Sequence, residues 1–153
     1  MTVAWVVLAA AAALLAVLTV PRIFLRRAQD RLAKEKLAAG HDPMLLTRAE
    51  LVVGRHRRAP GVLALTSVAI RFDGLFEESA VLPTSAIQKI ETGQRLASGR
   101  LLFRLEVLRL TVTGGEQTEF VLTRDSAAAW RSHLGLWAVK ERQADADRVM
   151  PGR

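Results

Sequence analysis

Apolar positions follow three regimes along this chain: an unbroken run, a stretch of helical spacing among charges, and then alternation with a period of two. From Thr2 to Pro21, TVAWVVLAAAAALLAVLTVP, no side chain is charged. At about 1.5 Å per helical residue such a segment covers the roughly 30 Å hydrocarbon core of a bilayer. A core helix of a soluble protein is the competing reading, and the absence of any polar face counts against it. A cleaved signal peptide is a second rival. It wants basic residues ahead of the apolar run and small residues at the cut, whereas Met1-Thr2 is uncharged and the run ends LTVPR. Residues 1–21 are therefore expected to be a retained transmembrane helix.

Beyond Pro21 the spacing stays helical but the composition changes. Leu25, Ala28 and Leu32 share one face, and Asp30/Lys34 and Arg31/Glu35 stand at i,i+4. Gly40 and then Pro43 are the expected stop, so residues 22–43 read as a basic juxtamembrane helix and linker. Leu18, Leu25 and Leu32 lie a heptad apart, and Ala9/Ala13 and Ala12/Ala16 are small pairs, both of which offer a face for a homodimer.

From Met44 onward the period becomes that of strands. Leu63 and Leu65 alternate with their neighbours, as do Val68, Ile70 and Phe72. Leu108, Leu110 and Val112 form one face, Gly114-Gly115 supplies the positive φ of a tight hairpin, and Phe120 and Leu122 return inward. Between these pairs Pro83 limits ladder formation, and Ile87 and Ile90 resume apolar contact. After Asp125-Ser126 the spacing turns helical again, with Trp130, Leu134 and Trp137 at i, i+4 and i+7, a face suited to covering an open end of the sheet. Residues 143–153 read as a polar tail.

Charge adds orientation. Arg22, Arg26, Arg27, Arg31, Lys34 and Lys36 follow the apolar run against Asp30 and Glu35 alone, and positive flanks stay on the cytoplasmic side. The expected layout is single-pass in the inner (plasma) membrane, N-terminus outside and the remainder cytoplasmic. The lack of Cys suits a reducing compartment, and the lack of Asn removes N-glycosylation. The net charge of +7 does not add a nucleic-acid partner. Its Arg- and Ala-rich bias is that of a GC-rich bacterial genome, the charge is spread along the chain, and aromatic residues for base stacking are sparse.

Catalytic patterns are missing. His41, His56 and His133 are far apart and there is no Cys to complete a metal set. Glu77 and Glu78 are adjacent, so on a strand they would face opposite ways. Gly93 and Gly99 in GQRLASGR lack the Lys-Ser/Thr of a phosphate loop. No enzyme activity, metal or cofactor is expected.

The order of GVLALTSVAIRF, VLPTSAIQKIE, a Gly-turned hairpin ending TEFVLT and one amphipathic helix resembles the bacterial PH-like and GRAM-like domains, from Leu45 to Arg142. Gly61, Leu63, Leu65-Thr66 and Ile70-Arg71-Phe72 are similar to that family's first hairpin, LPTSAIQKIE to an Ile-bearing strand, and Phe120 with Trp130 to the closing strand and helix. The resemblance implies a mainly β fold over residues 44–142, a bent antiparallel barrel of about seven strands capped by a C-terminal helix. It further implies binding of lipid headgroups or proteins in place of catalysis. Basic residues in the first inter-strand loop of lipid-binding relatives meet phosphate, which makes Arg55, Arg57 and Arg58 candidate anionic-lipid or phosphate ligands; an ordinary solvated loop is the competing reading. The expected function is a membrane-anchored adaptor or scaffold with a protein partner, in an envelope or transport complex. The alternative is a module that senses anionic lipid through Arg55–Arg58.

Overall fold

A computed structural model describes residues 2–38, 43–55 and 57–135. It opens with one long helix, α1 (Thr2–Ala38), that continues through Pro21 without a break, so the boundary between apolar run and basic stretch falls inside a single element. Seven strands follow: β1 (Leu45–Val53), β2 (Arg57–Leu65), β3 (Ala69–Gly74), β4 (Ser79–Pro83), β5 (Ile87–Gly93), β6 (Leu105–Val112) and β7 (Gln117–Thr123). A final helix, α2, begins at residue 124 and is described to residue 135. The expected stop at Gly40 lies outside the described residues, as do His41, His56, Trp137 and the tail.

All seven strands belong to one antiparallel sheet in the order β4-β3-β2-β1-β7-β6-β5. Antiparallel pairing of strands consecutive in the chain builds each half, and the pairing of β1 with β7 at Glu50↔Val121 and Leu51↔Phe120 joins them. The closed barrel that sequence led us to expect does not form among the described residues: β4 and β5 are open edges. Pro83 ends β4 and has no N–H to donate, and a 3-10 turn (Thr84–Ala86) redirects the chain. The corner is held by single bonds instead of a ladder, Thr84 N–H to the Val68 carbonyl at 3.0 Å and Thr113 N–H to the Ala86 carbonyl at 2.8 Å.

The sheet bends around an apolar core supplied by alternate residues: Ala49 and Leu51, Leu63 and Leu65, Ile70 and Phe72, Leu108 and Leu110, Phe120 and Leu122. Phe72 and Phe120 meet across it with ring centroids 5.7 Å apart, tilted by 41°. From α2, Ala127, Trp130 and Leu134 close the open side, with Trp130 fully buried. Val68 departs from the expected pattern. It sits exposed in the turn before β3, because Thr66 captures Ala69 through its backbone N–H (2.9 Å, to the Ala69 carbonyl) and its hydroxyl, and the strand starts one residue later.

Gly61 and Gly74 are register partners at the bend between β2 and β3. A Cβ on Gly61 would lie 2.4 Å from the Asp73 carbonyl oxygen, and one on Gly74 would lie 2.3 Å from that of Glu78. Close backbone approach is what requires glycine at both positions. The β6–β7 turn instead uses positive φ, 100° at Gly114 and 81° at Gly115, as the sequence led us to expect.

Candidate functional site

The outer, convex face of the sheet carries two covers. One is the β5–β6 connection: Leu96 and Leu102 fold over Val107 and Val121 in a second apolar cluster flanked by Val52 and Leu105. A cross-strand ion pair pins this cover. Arg109 donates from Nε (2.8 Å) and Nη2 (2.6 Å) to the buried carboxylate of Glu119, which also accepts from the Ala97 N–H at 2.9 Å. Arg109 Nη2 reaches the Arg95 carbonyl as well, at 3.3 Å, so one side-chain pair ties β6 and β7 to the first arm of the loop.

The other cover is the C-terminal half of α1. Its half-buried Leu25, Ala28, Leu32 and Lys36 flank Gln29, which is buried. The Gln29 amide donates to the Gly61 carbonyl at 2.8 Å and to the Ala49 carbonyl at 3.2 Å. Asp30 accepts from Arg48 Nε at 2.7 Å, and Lys36 pairs with Asp73 at 3.1 Å. Upstream, Arg26 lines a cleft of about 170 Å³ with Gln29, Arg48, Glu50, Leu105 and Thr123. These contacts follow one transverse row of the sheet, since Leu105 is opposite Thr123, Arg48 opposite Val62, and Val62 opposite Asp73. The dimensions agree: the ten residues from Arg26 to Lys36 rise about 15 Å, and the three steps from β7 to β3 at about 4.8 Å each span roughly 14 Å. The helix therefore lies across the strands. It is neither a free spacer that ends before the domain begins nor a separate element beside it.

This docking bears on two local features read from the sequence. Asp30 pairs with Arg48 of β1, not with Lys34 one turn along. Leu25 and Leu32, which offered a homodimer face, stand half-buried on the side of the helix turned to its own sheet. The polar residue that fixes the dock, Gln29, drew no attention in the sequence. Its signal was position: an uncharged hydrogen-bonding side chain set within the Leu25, Ala28 and Leu32 face.

The three arginines of the β1–β2 connection do not share one fate. Arg55 is exposed in the turn and borders a shallow hollow with Gly54, Ala97 and Ser98. Arg57 and Arg58 belong to β2, and each has a carboxylate partner, Glu78 for Arg57 and Glu50 for Arg58 at 3.0 Å. They are not a convergent, unpaired phosphate cradle. Of the basic set that follows the apolar run, Lys36 is engaged by Asp73 and Arg26 borders the cleft, and Arg22, Arg26, Arg27, Arg31 and Lys34 are all exposed. His133 is exposed, with Nδ1 at 2.9 Å from the Ala129 carbonyl, and no group of three or more metal-binding side chains occurs among the described residues. Glu77 and Glu78 occupy the β3–β4 connection, and Glu78 is turned to Arg57.

The architecture is thus an antiparallel seven-stranded domain, closed by a C-terminal helix, to which a long N-terminal helix with an apolar first half is docked. No family model matches the chain, and no curated protein matches it. Among solved structures it is similar to the C-terminal domain of an unknown protein from Leishmania infantum, with a TM-score of 0.52 and 12% identity over 78% of this chain and 98% of that one. At that identity the likeness concerns the fold alone.

Proposed function

We propose that the chain is a single-pass membrane-anchored adaptor whose PH-like cytoplasmic domain binds a protein partner. The observation that carries this reading is the continuity of α1. Its first half is apolar and exposed, Trp5, Leu8, Leu14 and Val17 included, while its second half is bonded to the sheet by Gln29, Asp30 and Lys36. An apolar helix left uncovered along this length needs a nonaqueous environment, and a lipid bilayer fits its length. Docking then holds the domain in a fixed pose beside the point where the anchor leaves the membrane, as a scaffold requires. The PH-like assignment is supported by seven antiparallel strands followed by a helix that buries Trp130. A protein partner is favoured over lipid sensing by Arg55–Arg58 because Arg57 and Arg58 already have carboxylate partners. The partner of this reading belongs to an envelope or transport complex.

The test has two arms on the full-length chain. A reporter fused after Arg153 is active when it requires the cytoplasm and silent when it requires export; the reverse result overturns the topology. Affinity capture from native membranes recovers a defined partner, and recovery is lost when residues 44–153 are replaced by an unrelated soluble domain on the same anchor. A partner retained by the anchor alone overturns the adaptor role of the domain.

A further inference from the structure

Where α1 leaves the sheet fixes which part of the domain lies nearest the anchor. Arg26 lines a cleft with the sheet beside Leu105 and Thr123, Leu25 before it is half-buried, and Ile23 and Phe24 further upstream are exposed. The uncharged segment ends at Pro21. Only Arg22 to Arg26, about 7.5 Å of helix, separates that segment from the start of β6. The strands run across the helix, so the β1–β2 turn is displaced sideways: Arg55 lies seven residues along from Arg48, roughly 23 Å of extended chain.

The element at the exit point is the end of the β5–β6 connection. Phe103 precedes Leu105 by two residues, within about 7 Å of extended chain. Leu102 is buried in the second cluster, yet Phe103 is 80% exposed, among the most exposed large apolar side chains of the domain. Around it stand Arg100 and Arg104, both exposed, and Arg124, whose Nη2 donates to the Phe103 carbonyl at 3.1 Å. None of these three arginines has a carboxylate partner among the described residues, in contrast to Arg57 and Arg58. An uncovered aromatic ring amid unpaired guanidinium groups, beside a basic helix leaving an apolar span, has the chemistry of an interfacial anchor: the ring enters the headgroup boundary and the arginines meet phosphate.

We propose that Arg100–Arg104, with Phe103 at its crest and Arg124 behind it, is a second membrane contact that seats in the anionic inner leaflet beside α1. The inference rests on the anchor reading of α1 and assigns the lipid-facing edge to this loop and not to Arg55–Arg58. It also sets the pose of the domain, with the β6 start toward the bilayer and the Lys36–Asp73 end away from it.

The chain has no cysteine, so single Cys substitutions can be spin-labelled uniquely in the full-length protein, reconstituted in vesicles containing phosphatidylglycerol. Collision with oxygen, which concentrates in lipid, is compared with collision with a water-soluble nickel chelate. Labels are placed at Phe103→Cys, at Val17→Cys in the apolar half of α1, and at Phe76→Cys, an exposed site in the β3–β4 connection at the far end. The expected result is an oxygen-to-nickel ratio at position 103 several-fold above that at 76 and approaching that at 17. A ratio at 103 equal to that at 76, with 17 in lipid, overturns the contact and leaves the anchor standing. Protection of 103 from both reagents means that protein covers it, which overturns the lipid assignment too. A water-like ratio at 17 removes the anchor itself, and the contact with it.

Discussion

The side-chain amide of Gln29 donates to the backbone carbonyl of Gly61 at 2.8 Å, joining the helix that carries the apolar span to the strand at which the sheet bends. The same amide reaches Ala49 on the neighbouring strand, so one buried polar group bridges β1 and β2 from outside. Hydrogen bonds that are buried cannot be exchanged for water without cost, and this one helps to fix where the domain sits on α1.

Replacing Gln29 with Ala should weaken the dock. Removal of a buried hydrogen-bonding group costs about 1 to 3 kcal/mol. The expected readout is faster amide exchange over residues 25–36 and along β1–β2, with the α2 region unchanged. Exchange that rises equally throughout the domain would show that Gln29 supports the whole fold, not the dock.

Gly61→Ala and Gly93→Ala form a matched pair. A Cβ at Gly61 meets the Asp73 oxygen at 2.4 Å, Phe72 Cζ at 2.5 Å and Gly74 Cα at 2.8 Å, whereas at Gly93 nothing lies within 4 Å. Overpacking against backbone should cost about 1 to 3 kcal/mol or more at Gly61, and the change at Gly93 should stay within about 0.5 kcal/mol. Denaturant titration of both variants checks the difference, and equal effects would mean that the bend does not depend on Gly61.

Trp130→Ala removes the largest fully buried side chain of the core. Truncation of a buried Trp costs about 3 to 5 kcal/mol. Its Nε1 has no hydrogen-bond partner among the described residues, so Trp130→Phe should recover much of that loss by restoring ring volume. A Phe variant as unstable as the Ala variant would point to an unseen polar role for the indole.

Glu119→Leu leaves Arg109 without its partner on the convex face. Removing the buried carboxylate from the partly exposed Arg109 should cost about 1 to 3 kcal/mol, and because Glu119 also holds the Ala97 N–H, the β5–β6 connection should become the first site of limited proteolysis. Arg109→Met combined with Glu119→Leu should regain stability, since paired apolar replacements avoid the uncompensated charge. No recovery in the double variant would assign the effect to the loop bonds at Ala97 and Arg95 and not to the uncompensated charge.

Much of the core was written in local pattern. Alternation of period two placed Leu63, Leu65, Ile70, Phe72, Leu108, Leu110, Phe120 and Leu122 inward, and all are buried, because a strand's side chains alternate faces whatever its neighbours are. Gly114-Gly115 marked its hairpin, and i,i+4 spacing marked Trp130 and Leu134 as one helical face. Val68 failed because a Thr66 turn, a local competitor of the strand, delayed β3 by a residue.

The sequence by itself determined the apolar span, the basic stretch after it, the strand-rich domain and the helix at its end, since each depends on the order and period of neighbouring residues. Only the tertiary structure decided that β4 and β5 stay apart, that Arg57 and Arg58 are neutralised by Glu78 and Glu50, and that Asp30 and Lys36 look outward to Arg48 and Asp73. These are pairings between groups many positions apart, governed by the bend of the sheet and by which convex surface α1 covers. Periodicity carries no term for either. The docked helix is the clearest case: its half-buried face was legible, but that face could meet a second copy of the helix or the chain's own sheet with the same spacing. Gln29, reaching two backbone carbonyls on β1 and β2, is what bonds this face to the chain's own sheet.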